Sequence, residues 1–242
     1  MPTLNTSKTG VGLGQSSTTF ATARQNGSSV TSNPGSTFAT AIQYTGTSGR
    51  GTLTHNIRRT FLYFDTSGLT GTISNTSLNI RGNTNESADV VVLKSTAFGG
   101  NGSSNLTTSD FFQSINYSTV YGTYTSWDAS GDNDISLNST ANTDIQNNNA
   151  FICAIVEHTN DFPNTAATSA VSRQAGINFG VTITLTYTEA AASGPANLTS
   201  LNGIAKASIT NVNTITVLLG ELFWNGTETG CIVVKTGVSL LT

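Results

Sequence analysis

Carboxylates at alternating positions beside a glycine can wrap a hard cation, and one stretch has that composition: Asp128-Ala-Ser-Gly-Asp132-Asn-Asp134. Oxygen ligands at Asp128, Asp132 and Asp134 would suit Ca²⁺, the one cofactor the motifs point to, although the spacing differs from that of the helix–loop–helix calcium loop. The same residues equally suit a turn in which an Asp side chain caps its own backbone. Just upstream, Tyr117, Tyr121, Tyr124 and Trp127 follow one another at intervals of 4, 3 and 3 in a polar context. Exposed, such rings stack on the apolar faces of sugars and make a glycan platform; buried, they line a sandwich edge.

The inventory for catalysis is thin. His55 and His158 are the only two histidines, and no G-x-S-x-G elbow surrounds any serine. H-E-x-x-H, C-x-x-C and P-loop patterns are all missing from the sequence. Glycoside hydrolysis needs two acids about 5–10 Å apart across a cleft, and the 13 acids here are scattered over turns. The expectation is a non-enzymatic protein. A carbohydrate-binding module or adhesin, Ca²⁺-dependent if the acidic cluster is a site, is the alternative. Of the two cysteines, Cys153 sits inside Phe-Ile-Cys-Ala-Ile-Val as a small hydrophobe, and Cys231 lies 78 positions further on in a different compositional region.

Composition narrows the classes further. Ser, Thr and Asn fill 95 of 242 positions and charged residues only 10%, against about 25% in average globular proteins. A net charge of -3 with four lysines offers no basic surface for phosphates, so nucleic acid is not an expected partner. No window approaches the roughly 18 apolar residues of a membrane span, so no membrane insertion is expected. The amino terminus shows no basic stretch leading into an apolar run, so no secretory signal is visible and synthesis in a reducing cytosol is the expectation. Charge is segregated along the chain. Residues 1–94 carry seven basic and three acidic side chains, whereas residues 95–172 carry seven acids and no Lys or Arg at all.

These groups must be positioned by strands. Ile177, Phe179, Val181, Ile183, Leu185 and Tyr187 alternate with Asn, Gly and Thr, which predicts one strand with a single buried face. Phe38 to Tyr44 and Leu78–Ile80 repeat the pattern more weakly. Phe61-Leu62-Tyr63-Phe64, Val90 to Leu93 and Phe151 to Val156 are apolar on both faces, as expected of central strands covered on both sides. Helix is confined to a turn capped by Ser109 or Asp110, and to Leu137, Ala141 and Ile145 at helical spacing. The strand pattern stops near Tyr187, and 190–196 (Ala-Ala-Ala-Ser-Gly-Pro-Ala) reads as a linker. Beyond it, Leu198, Leu201 and Ile204 recur 11 positions later as Ile209, Val212 and Ile215. Two copies are too few to bury a face alone, so these six residues are expected to pack on a partner. The expected organisation is an amino-terminal arm (1–15), an all-β antiparallel sandwich (16–189), the linker, and an anchoring or oligomerisation segment (197–242).

Arg58-Arg59-Thr60-Phe61-Leu62-Tyr63-Phe64-Asp65-Thr66-Ser67-Gly68-Leu69, followed by Ile73 to Ile80, resembles the R-x-x-L-x-F-D-x-S-x-L … I-x-x-A-x-L-x-L stretch of DNRLRE-type, carbohydrate-binding-module-like domains. The resemblance implies a jelly-roll sandwich over roughly 16–189. Ala196-Asn197-Leu198-Thr199-Ser200-Leu201-Asn202-Gly203-Ile204-Ala205-Lys206-Ala207 resembles the A-N-x-x-S-x-N-G-I-A-K-A segment of bacteriophage structural proteins. Together the resemblances imply a virion protein, a capsid decoration, head fibre or tail adhesin. Its implied partners are other virion proteins, further copies of itself and host surface glycans.

Overall fold

The structure, a computed structural model, describes residues 1–190 apart from 17–18, 36, 50–51, 70 and 84–87. In the tail it describes the backbone of residues 200–201, 204–205, 222–223 and 233–234. Two units result, 1–190 and 191–242. The elements of the first are β1 (Thr3–Asn5), β2 (Lys8–Ser16), α1 (Phe20–Gln25), β3 (Gly27–Ser32), β4 (Thr37–Gly49), β5 (Thr52–Asp65), β6 (Thr72–Arg81), β7 (Val90–Ser95), α2 (Asp110–Gln113), β8 (Ile115–Tyr124), β9 (Asp132–Ser136), α3 (Ser139–Asn147), β10 (Ala150–Glu157), β11 (Val171–Asn178) and β12 (Thr184–Ala190). The second has two short ladders, β13 (Ser200–Leu201) with β14 (Ile204–Ala205) and β15 (Leu222–Phe223) with β16 (Val233–Val234).

The first unit is an all-β antiparallel sandwich. The smaller sheet has the order β1-β12-β6-β9, and the larger β11-β4-β5-β10-β7-β8, with β2 on β5 and β3 on β2. The larger sheet divides at β5. One edge of β5 is followed by β2 over His55–Tyr63; the other is shared, β4 along Thr52–Arg58 and β10 along Thr60–Asp65.

Alternation assigns the strands' side chains to two cores. Leu62, Phe64, Val90, Val92, Cys153 and Ile155 face the smaller sheet and bury against Leu78, Ile80, Ile135 and Leu185. Phe61, Val91, Leu93, Ile152, Ala154 and Val156 face the opposite way, under Ala97, Phe98 and Leu106 of the β7–α2 connection. The three segments that read as apolar on both faces are therefore β5, β7 and β10, buried on both sides. No helix among the described residues is long and apolar enough to cross a membrane.

Three expectations need correction. Residues 1–15 are no free arm: β1 pairs with β12, and β2 is laid along most of β5. The glycines of β2 make room for rings. A Cβ on Gly12 would stand 2.8 Å from Phe111 Cδ2, and one on Gly14 would meet the Ala23 carbonyl and the Phe111 ring. The alternation from Ile177 to Tyr187 is not one strand either. It spans the end of β11 and the start of β12, which belong to different sheets. The crossing is a turn in which Asn178 Oδ1 accepts the Gly180 N–H (3.0 Å) and its carbonyl that of Val181 (3.1 Å), leaving Val181 44% exposed. The third concerns helix, which extends to α1, capped by Thr19 Oγ1 accepting the Thr22 N–H at 3.1 Å. α2 and α3 fall near the expected Ser109–Ile115 and Leu137–Ile145, but Ser109 makes no capping side-chain bond, Ile115 begins β8, and α3 starts after Leu137, capped by Asn138.

Candidate functional site

The densest polar chemistry lies at Arg59, where the larger sheet divides. Its side chain is fully buried and faces away from the smaller sheet. Nε and Nη2 donate to Asp161 Oδ2 and Oδ1, both at 2.7 Å. Nη1 donates to the Phe111 carbonyl (2.5 Å) and Nη2 also to the Arg24 carbonyl (3.0 Å). The guanidinium lies 4.1 Å from the Phe111 ring centroid. Burial works against its charge, but the Asp161 carboxylate outweighs this and raises the Arg59 pKa above its usual value. Arg24 adds a contact from Nε to Asp161 Oδ1 (3.2 Å) and covers the Tyr117 ring at 4.2 Å.

Glu157, fully buried, completes the centre. Its two oxygens accept the backbone N–H groups of Thr159 (2.7 Å), Asn160 (2.6 Å) and Asp161 (3.0 Å), with Arg173 Nε 4.0 Å away. Glu157 and Asp161 thus fix the start of the β10–β11 loop, while Arg59 ties that loop to α1 and α2. What this arrangement does is clamp three peripheral segments onto one face of the sheet.

The acidic middle of the chain finds its cations elsewhere in the sequence. Asp161 takes Arg24 and Arg59, Asp144 takes Lys94 (2.8 Å), Asp132 takes Arg81 (3.3 Å) and Glu157 faces Arg173. The segregated charges are two halves of an interlocking set. The three carboxylates proposed for Ca²⁺ are occupied in separate ways. Asp128 Oδ1 accepts the N–H groups of Ser130 and Gly131, each at 2.8 Å, and these bonds hold its carboxyl below the usual range. Asp132 pairs with Arg81, and Asp134 Oδ1 accepts from Asn79 Nδ2 at 2.8 Å. Among the described residues no three His, Cys, Asp or Glu side chains form a group that could hold a metal ion.

The aromatic series is likewise dispersed. Two register irregularities between β7 and β8 turn Tyr117 and Tyr121 to opposite faces despite their even separation. Tyr117 packs on the outer core, whereas Tyr121 and Trp127, 1% and 5% exposed, lie in the core between the sheets with Tyr124 against it. Buried rings offer no platform to a sugar. The Tyr121 hydroxyl donates to Asp144 Oδ2 (2.5 Å), and burial, then this bond, raises its pKa. Burial opposes ionisation of Asp144, but the Lys94 and Tyr121 hydrogen bonds win and lower its pKa. Tyr117 is raised by burial and by Asp161, and its buried hydroxyl has no partner among the described residues.

Of the two histidines, His55 Nδ1 meets the buried Tyr44 hydroxyl at 3.1 Å, and that hydroxyl accepts the Ala167 N–H at 3.0 Å. Burial lowers the His55 pKa. His158 stacks on Phe162. Cys153 is a free, fully buried thiol pushed up to about 12. A shallow groove of about 310 Å³ runs between Thr6–Thr9, Asn33–Gly35 and Phe179–Ile183.

Of the six expected assembly residues, Leu201 and Ile204 are brought together as a rung of the β13–β14 ladder. Leu198, Ile209, Val212 and Ile215 lie outside the described residues. The two positions between the paired residues are Asn202 and Gly203, the dipeptide most favoured in two-residue hairpin loops, a signal readable from the sequence. Arg59 and Asp161 carried no such signal, being 102 positions apart. Neither the family models nor the curated proteins compared with the chain match it.

Proposed function

We propose that this chain is a non-enzymatic structural protein of a bacteriophage particle, a capsid decoration, head fibre or tail adhesin. Residues 1–190 are the displayed body, read as a jelly roll of the DNRLRE type, and residues 191–242 dock on the particle. The observation that carries this reading is the division of the chain after Ala190, with the phage-like Ala196–Ala207 segment in the second unit and its Leu201–Ile204 rung flanking Asn-Gly. The use made of the acids supports it: Glu157, Asp161, Asp144 and Asp128 each accept bonds that hold loops or helices in place. Low charge also suits close packing among many neighbours, where like charges would repel.

Particles purified by density gradient from a producing lysate test the assignment. Antibodies raised against the chain should label intact particles, and a chain with Leu201→Asp and Ile204→Asp should be left in the soluble fraction. Recovery of the unaltered chain only from the soluble fraction overturns the virion assignment. Full incorporation of the double variant overturns the docking role of the tail.

A further inference from the structure

The β10–β11 loop, residues 158–170, is fastened unevenly. Its first half is held by the Glu157 and Asp161 bonds and is closed on itself. There the Thr165 N–H donates to the Asn160 carbonyl (2.9 Å) and Asn160 Nδ2 to the Thr165 carbonyl (2.9 Å). Its second half is a strap. Among the described residues, 166–170 make one hydrogen bond, from the Ala167 N–H to the Tyr44 hydroxyl (3.0 Å). Ala167 is also the only residue of the strap that is not exposed. It packs, with Val171, on the apolar cluster of Phe20, Ala23, Tyr44, Ile57 and Phe111.

That single fastening runs through a titratable group. The Tyr44 hydroxyl has one proton, and burial keeps it in place by raising its pKa. Because this oxygen accepts from Ala167, His55 Nδ1 (3.1 Å) is the acceptor for its proton. His55 is therefore neutral and carries its own proton on Nε2. A proton on Nδ1 turns the acceptor into a donor, strips the Tyr44 proton of its partner and sets a cation in a buried site. The Phe20 ring, 5.8 Å away, flanks that site. Among the described residues no carboxylate pairs with His55, and the charged groups around it are engaged elsewhere. Arg24 of α1 and Arg59 of β5 are on Asp161. Arg173 of β11, opposite Tyr44, donates to Asn160 Oδ1 (3.1 Å) beside Glu157. Asp110 of α2 accepts from Thr107, and His158 stacks on Phe162. Ser16 of β2 and Gly46 of β4, which pair with His55, carry no charge.

We propose that Tyr44 and His55 form an acid-sensitive latch: a proton on His55 Nδ1 releases Ala167, and the strap lifts from the Phe20–Tyr44–Ile57–Phe111 cluster while the first half of the loop stays clamped. Burial holds the His55 pKa below its usual value, so the latch is closed at neutral pH. Its closing energy is full above the open-state pKa, about 6.5, and is lost as pH falls from there to the folded value. The latch does not depend on the virion assignment.

Amide hydrogen exchange and NMR of the imidazole nitrogens, on the full chain, test this. His55 should be the Nε2–H tautomer at neutral pH. Protection of the Ala167 amide should fall about tenfold per pH unit from about pH 6.5 to the pH at which His55 titrates, and level off below it. The Thr165 amide and those of β10 should keep their protection, since only the strap opens. His55→Asn, whose Oδ1 accepts the Tyr44 proton but does not titrate, should abolish the fall, and His158→Asn should leave it unchanged. Tyr44→Phe should leave Ala167 unprotected already at neutral pH. Circular dichroism melting identifies a misfolded variant, and the levelling of Ala167 protection at the His55 titration of the unaltered chain then decides. An Nδ1–H tautomer, Ala167 protection that is flat through the His55 titration, a fall that survives His55→Asn, or joint loss of the Ala167 and β10 amides overturns the proposal.

Discussion

On the face of the larger sheet that meets the smaller one, Leu62, Phe64, Val92 and Ile155 are covered by other strands' aliphatic and aromatic side chains. On the opposite face Phe61, Val91, Ile152 and Val156 are covered by a 3₁₀ turn, two short helices and loops. Two sheets can bury each other by area alone, because their backbones are already hydrogen-bonded. Loops and six- or four-residue helices cannot. The outer face therefore carries directional bonds, from Arg59 to Asp161 and to two backbone carbonyls. Apolar area holds one side, and a buried ionic clamp holds the other.

Removing the clamp has the largest expected effect. Arg59→Ala leaves the buried Asp161 carboxylate with only its Arg24 contact and should cost about 3–5 kcal/mol in urea unfolding. Replacing both partners with apolar residues should recover part of that loss, and failure to recover any would mean that the clamp contributes more than charge pairing. Gly14→Ala, which forces a methyl against the Ala23 carbonyl and Phe111, should cost about 1–3 kcal/mol by overpacking. Ile155→Val on the inner face should cost about 0.5–1.5 kcal/mol, and Ile152→Val on the outer face provides the matched deletion. Equal losses would show that the loop-covered core is packed as tightly as the sheet-covered one.

The smallest effects are titrations. Asp144 is depressed in the folded state, so its contribution is present above its unfolded pKa, about 3.9, and is lost as pH falls through the folded value. Melting curves from neutral pH into acid should therefore converge for the unaltered chain and Asp144→Asn. Cys153 has the opposite sign. Its thiol is raised to about 12, so the contribution is full below the unfolded pKa and is lost as pH climbs toward the folded one. In a Cys231→Ser background a thiol reagent should label Cys153 only on unfolding.

Central strands were legible in the sequence because burial on both faces leaves an unbroken apolar run, as at Phe151–Val156. Helix α3 was legible because Leu137, Ala141 and Ile145 repeat at its period. The ionic clamp was not, because its partners come from β5 and from a loop beyond β10, and no local pattern encodes a contact of that span. Glycines in β2 hid a strand, since what they reveal is the size of Phe111 opposite them. The aromatic series looked like one surface because spacing alone cannot show the bulges that reverse a strand's faces. Asp128 was readable as a turn-capping residue, and its bonds to Ser130 and Gly131 place it there.

The interlocked charges have a consequence for how the protein is made. Arg24 and Arg59 emerge from the ribosome long before Asp161, and β1 must wait for the residues of β12, Thr184–Thr186. A nascent chain stopped short of these points lacks the counterion that lets Arg59 be buried and the strand that pairs with β1. Long-range pairing of this kind slows folding and makes completion close to all-or-none. Chains terminated before Asp161 or before Thr184 are therefore expected to be cut faster by proteases than the full chain, a difference that limited proteolysis would read.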